Sequence, residues 1–261
     1  MPRRSRFSPG RPRAGEGGGQ ILLSTWRKSP GLWVLCLIAG MLCAIICAGR
    51  KTAETAFSPD RASAPVLILD AGHGGADGGA VAADGTEESD INLDIALRMR
   101  ELCRLFGVGC VMTRESEELD YPPEARSISQ MKVWDTRSRV ALINSVENGF
   151  LLSIHQNSFL NHKACGPQVF HNADPLAAKA AAAWQEALNG ELCPNSRRVA
   201  ASVSPDINIM ANARCPAVLV ECGFLSHRGE LEALKTEKYR TKIATILMAT
   251  YLRFWEGPYE S

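Results

Sequence analysis

The chain has 261 residues, 46% of them hydrophobic, with 29 Lys and Arg set against 28 Asp and Glu. That length suits one sizeable domain with extensions, and the near-cancelling charge gives no global reason to expect nucleic acid as a partner. The imbalance is local: Arg3, Arg4, Arg6, Arg11, Arg13, Arg27 and Lys28 are opposed only by Glu16.

With Pro2, Pro9, Pro12 and Gly17 to Gly19 among those charges, residues 1–28 read as a disordered basic arm. Residues 29–49 carry no charge and are long enough for one membrane-spanning helix. The basic flank on its amino side predicts a cytoplasmic arm and an exported remainder. The expectation is a single-pass cell-membrane protein whose catalytic domain lies outside the cytoplasm, with a cleaved signal peptide as the alternative. Residues 50–64 read as a linker, and residues 65–256 as the folded domain. Of nine cysteines, none forms a CxxC or a framework spacing, so buried free thiols are expected.

The domain opens on Val66-Leu67-Ile68-Leu69, an uninterrupted branched run that stops at Asp70-Ala71-Gly72-His73-Gly74-Gly75. A buried parallel strand delivering its carboxyl end to a site has this form. A polar loop follows, then a helix with Ile91, Ile95, Met99, Leu102 and Phe106 on one stripe, capped by Ser89 or Asp90 and stopped at Gly107. Val108 to Thr113 reads as a second strand. Glu115 to Val133 has no clear period and reads as an exposed loop, before a helix from Thr136 to Glu147. Phe150 to Ile154 forms a third strand ending at His155. Gln168 to Phe170 is a short strand, and Asp174 with Pro175 starts a helix whose face is Leu176, Ala180, Trp184 and Leu188. Ala217 to Val220 is another buried strand, ending at Glu221, and a helix from Glu237 to Trp255 closes the domain. Strands alternating with helices predict a three-layer α/β domain with a mixed or mostly parallel central sheet.

Three of these strands end in groups that bind metal or move protons: His73, His155 and Glu221. If the strands are parallel neighbours, the three side chains meet at one sheet edge, and Glu88 lies in a loop able to fold over it. Two imidazoles and a carboxylate are a common catalytic zinc set with a fourth position left for water, and a second carboxylate outside the metal shell can carry the proton. His162, His171 and His227 are expected to be surface or hydrogen-bonded histidines. Asn157 and Arg139 serve either substrate contact or loop support.

The segments DAGHGG at 70–75, GTEE at 85–88 with Asn92-Leu93, SIHQN at 153–157 and VECGFLS at 220–226 resemble, in order, the zinc-dependent N-acetylmuramoyl-L-alanine amidases. The resemblance implies zinc held by His73, Glu88 and His155, with Glu221 as catalytic acid/base. It further implies peptidoglycan as substrate, cut between the lactyl group of N-acetylmuramic acid and L-alanine of the stem peptide. Glu87 leaves the acidic ligand ambiguous by one position; the motif register favours Glu88. Ala71, Gln156 and His227 depart from the usual pattern, and Gln156 and Asn157 are candidates for substrate fit. A catalytic domain without wall-binding repeats is most similar to the membrane-anchored spore-cortex branch, where an activating protein partner is one possibility. The alternatives are a zinc peptidase or deacetylase of other wall bonds, and an inactive wall-binding protein. The interval from Gln156 to Val220 leaves no room for a long helix across the site, so an open site is expected.

Overall fold

A computed structural model describes residues 64–204 and 206–256; the basic arm, the apolar stretch 29–49 and the linker lie outside the described residues, apart from Ala64 at the linker's end. Its strands are β1 (Val66–Ala71), β2 (Cys110–Met112), β3 (Gly149–Asn157), β4 (Gln168–His171), β5 (Ala201–Ser202) and β6 (Ala217–Phe224). Its helices are α1 (Glu88–Phe106), α2 (Ile128–Ser145), α3 (Pro175–Leu192), α4 (Asn208–Asn212), α5 (Arg228–Leu234) and α6 (Glu237–Glu256).

The strands form one sheet in the order β2-β1-β3-β6-β4-β5. β1, β2, β3 and β6 are parallel, whereas β4 runs antiparallel to β6. The central strands are apolar on both faces because helices cover both. Alternation along each strand divides the core. Leu67, Leu69, Phe150, Leu152, Ile154, Val218 and Val220 pack with Ile95, Met99, Trp184, Leu247 and Tyr251 of α1, α3 and α6. Ile68, Leu151 and Leu219 face Ile143 of α2 and Met210 of α4. The mixed sheet between two helical layers is the architecture expected from the sequence.

Several boundaries differ. α1 begins at Glu88 with Glu87 as its N-cap, and no side chain caps it; Gly107 at φ 67° ends it by donating its N–H to Cys103. α2 begins at Ile128, inside the stretch expected to be a loop, because Ser127 and Gln130 form a reciprocal capping box. The helical period was hidden because only Arg139 and Ile143 of α2 are buried, while Ile128, Val133 and Trp134 are exposed. β3 and β6 run past His155 and Glu221, so both residues sit within strands rather than after them.

The expected membrane localisation is corrected. Among the described residues no helix is long and apolar enough to cross a membrane, and the stretch on which that expectation rested lies outside them.

Trp184 joins the helical layer to itself: it is fully buried and its indole N–H donates to the carbonyl of Leu247 at 2.9 Å. Trp184→Ala should lower unfolding free energy by about 3–5 kcal/mol, the usual loss for a buried tryptophan. Urea denaturation followed by circular dichroism measures it, and a loss below about 1 kcal/mol would show that the layer is not keyed on this residue.

Candidate metal centre

Asp70, the last residue but one of β1 before the glycine turn, is fully buried. Its Oδ1 accepts from Arg139 Nη1 at 3.0 Å and from Thr113 Oγ1 at 2.7 Å, and its Oδ2 accepts from Ser153 Oγ at 2.6 Å. Burial would raise its pKa, but Arg139 foremost, with the Ser153 and Thr113 hydroxyls, holds it below 3.8. Arg139 goes on to donate to the carbonyls of Ala71 and His73. It is thus a loop-holding residue, the second of the two roles its position allowed. Arg114, also buried, donates to the carbonyls of Ala71, Gly72 and Ser89, tying the β1 turn to the first turn of α1.

So braced, His73 takes a left-handed backbone, φ 60°, rare for a residue with a side chain. Its Nδ1 lies 2.9 Å from Asp77 Oδ2, and Asp77 Oδ1 lies 2.8 Å from Lys132 Nζ of α2. A donated Nδ1–H leaves Nε2 as the free lone pair, the tautomer suited to a metal ligand whose other nitrogen is fixed by a carboxylate. Burial would raise the Asp77 pKa; the hydrogen bonds from His73 and Lys132 hold it well below the usual carboxylate range. Asp77 was not a candidate from the sequence, where it is one acid in a polar loop. A carboxylate four residues after a turn histidine was the signal available.

β3 supplies His155 and β6 supplies Glu221, which face each other in the parallel ladder. Gly72 is obligatory here because any Cβ would collide with the His155 ring. The two imidazoles meet edge to face at 5.0 Å between centroids. Glu88, from the first turn of α1, completes the group. Its Oε1 lies 2.9 Å from His155 Nδ1 and accepts from the Gln156 N–H at 3.0 Å; its Oε2 lies 3.4 Å from His73 Nε2 and accepts from the Ala80 N–H at 2.9 Å. Burial works against its charge, but His155, His73 and the Ala80 N–H prevail and bring its pKa down to about 2.

One donor atom from each of His73, Glu88 and His155 lies within 4.8 Å of the others. A tetrahedral zinc with bonds of about 2.0 Å has donors roughly 3.3 Å apart, so small side-chain adjustments close this set around an ion. Two imidazole nitrogens and a carboxylate oxygen are the donor chemistry of catalytic zinc. Glu221 stands beside them with Oε2 buried and without a hydrogen-bond partner among the described residues. Burial, with Glu88 adding to it and the histidines opposing, pushes its carboxyl up to about 7.

The remaining candidates fall elsewhere. Gln156 is buried on the opposite face of β3, where its Nε2 donates to Asn92 Oδ1 at 3.1 Å beneath α1. Strand alternation puts its side chain opposite His155, away from a substrate. Asn157 is half-buried past a register shift, and its carbonyl accepts from the Leu225 N–H. Glu87 is not in the cluster; its Oε2 accepts from the Ser89 hydroxyl. His162 and His171 bond backbone carbonyls, and His227 caps α5.

The profile of the N-acetylmuramoyl-L-alanine amidase family matches residues 67–250. The germination-specific N-acetylmuramoyl-L-alanine amidase of Bacillus subtilis strain 168 is 35% identical over 194 residues, covering 74% of this chain and 81% of that protein. AmiA of Escherichia coli strain K12 is 25% identical over 225 residues, covering 70% of this chain and 73% of its own. The CwlD amidase of Clostridioides difficile, solved in complex with the GerS lipoprotein, is 32% identical with a TM-score of 0.70, covering 74% of this chain and 98% of that one.

The linked ionisation of Asp70 has a measurable sign. Its folded pKa is depressed, so it stabilises the fold above the unfolded value near 3.8, and that stability is lost as pH falls below it. Stability should therefore drop steeply below about pH 4, and Asp70→Asn should be less stable at neutral pH with a shallower acid slope. Chemical denaturation across pH reads both. An unchanged slope in the variant would remove Asp70 from the account.

Proposed function

Because this chain belongs to the N-acetylmuramoyl-L-alanine amidase family, we propose that it hydrolyses peptidoglycan with zinc held by His73, Glu88 and His155 and with Glu221 as general acid/base. The reaction of the family cleaves the amide between the lactyl group of N-acetylmuramic acid and L-alanine of the stem peptide. The observation that carries the site assignment is the convergence of two imidazoles and one carboxylate beside a second, unpartnered carboxylate. When bound, the metal supplies Lewis-acid activation of water and of the scissile carbonyl.

The chain's own residues do the rest. Asp77 keeps His73 oriented and in one tautomer, while Asn92 Nδ2, 3.2 Å from Glu88 Oε1, helps fix the carboxylate. Glu221 has no competing hydrogen-bond partner on Oε2, so that oxygen is available to take the proton of the attacking water and return it to the departing nitrogen. Burial raises its pKa in the metal-free chain, which offsets the lowering an adjacent divalent ion would exert. The similarity to the germination-specific enzyme and to CwlD supports a place in spore-cortex remodelling, with a protein partner as CwlD has in GerS.

Muropeptide mass spectrometry after digestion tests the bond: stem peptides with a free L-alanine amine should appear alongside glycan carrying free lactyl carboxyls. Cuts within the stem, or released acetate, would assign a peptidase or deacetylase instead. Glu221→Gln should retain one zinc per chain while hydrolysis falls roughly 10²- to 10⁴-fold, whereas His73→Ala should lose both. Metal analysis beside the assay separates them. Loss of zinc from Glu221→Gln would make Glu221 a ligand and displace Glu88 from that role.

A further inference from the structure

The six cysteines of the described residues are not equivalent. Cys103 lies in the last turn of α1, fully buried, and Cys110 begins β2, the strand at the sheet edge, half-buried. Their thiols are close enough that each shifts the titration of the other. The chain between them is short and turns at Gly107, whose left-handed φ of 67° returns it toward the helix; the N–H groups of Gly107 and Val108 both reach the Cys103 carbonyl. Both cysteines line a cleft of about 380 Å³ together with Arg100, Arg104, Val108 and Glu115.

We propose that Cys103 and Cys110 form a thiol–disulfide site, with Cys110 as the thiol that attacks a small disulfide and Cys103 as the buried thiol that resolves it. A reactive cysteine needs partial exposure, positive charge nearby and a second thiol in reach, and Cys110 has all three. Cys103 does most to lower the Cys110 pKa; Arg100 and Arg104 add to it, against burial and Glu115. Cys103, fully buried, lacks the exposure an attacking thiol needs, and its thiol is pushed up by Cys110 and by burial. The Cys165 thiol, exposed and near Cys193 and Arg198, is shifted in the opposite direction to that of Cys110. Burial and Glu230 push the Cys165 thiol up beside Cys193. Cys222 is buried and its thiol is likewise pushed up.

The co-reactant is a low-molecular-weight disulfide. The Cys110 thiolate attacks one of its sulfurs, forming a mixed disulfide and expelling one small thiolate. Cys103 then attacks Cys110 Sγ, giving up its proton to the medium and expelling the second thiolate. The protein dithiol loses two electrons and the small disulfide gains them as two thiols. A disulfide of ~2.05 Å needs its two cysteines on adjacent backbone segments, and the turn at Gly107, with the Val108 N–H on the Cys103 carbonyl, brings the chain that carries Cys110 back beside the last turn of α1. Some 15 helical residues, roughly 22 Å along α1, separate Cys103 from Glu88, so the bridge staples the far end of the helix and leaves the metal ligands untouched.

The test is to incubate the folded full chain with oxidised glutathione, block free thiols with N-ethylmaleimide, and map peptides by mass spectrometry without reduction. The expected product is a Cys103–Cys110 linkage, formed faster than any modification of Cys222. In Cys103→Ser the same treatment should stop at a glutathione mixed disulfide on Cys110. If Cys110 of the unsubstituted chain is recovered alkylated, or if it stays as a stable mixed disulfide beside an alkylated Cys103, the proposal is overturned. A Cys103→Ser variant whose Cys110 remains unmodified would likewise refute the attacking role.

Discussion

Everything at this site hangs on a buried charge. A carboxylate with no exposed surface at the end of a core strand costs several kcal/mol unless it is paired and hydrogen-bonded. Asp70 meets that condition through Arg139 of α2, Thr113 just after β2 and Ser153 of β3. The guanidinium that neutralises Asp70 also holds the carbonyls of Ala71 and His73. The ion pair therefore does more than tolerate burial: it fixes the turn that carries His73. A left-handed histidine costs about 1–2 kcal/mol by itself, and this lattice of carbonyl contacts is what sustains it.

The sheet supplies the second half of the geometry. Parallel pairing of β3 with β6 sets His155 opposite Glu221, and pairing of β1 with β3 brings the His73 turn to the same edge. Period-two alternation then sorts neighbours into different jobs. His155 and Glu221 look onto the site, while Gln156, one residue on, is spent beneath α1 against Asn92. Glu88 arrives from above on the first turn of α1, and Arg114 holds that turn to the β1 loop through Ser89. Two cationic side chains, neither a candidate ligand, thus set the spacing between the three that are.

Much of this was legible because it was written in contiguous patterns. VLIL, FLLSI and AVLV announced doubly covered strands, and the groups ending them announced a shared edge. Other features were not legible, for identifiable reasons. The first two turns of α2 escaped because Ile128, Val133 and Trp134 are exposed, so no apolar stripe marked them. Asp77 and Arg114 escaped because their roles are second contacts made across the fold, to which local periodicity is blind. Arg139 could be placed on a helix but not oriented. Closeness in sequence to His155 makes Gln156 a candidate for substrate fit, whereas strand alternation turns its side chain to the other face, against Asn92.

In the proposed function the braced turn, β3 and α1 together hold one zinc through His73, Glu88 and His155. Zinc-edge X-ray absorption on the zinc-loaded full chain tests it most directly. The expected spectrum has a first shell of only nitrogen and oxygen at about 2.0–2.1 Å, with multiple-scattering features of two imidazoles that fall to one in His155→Ala. A sulfur scatterer near 2.3 Å, or an imidazole signal unchanged in that variant, would contradict it.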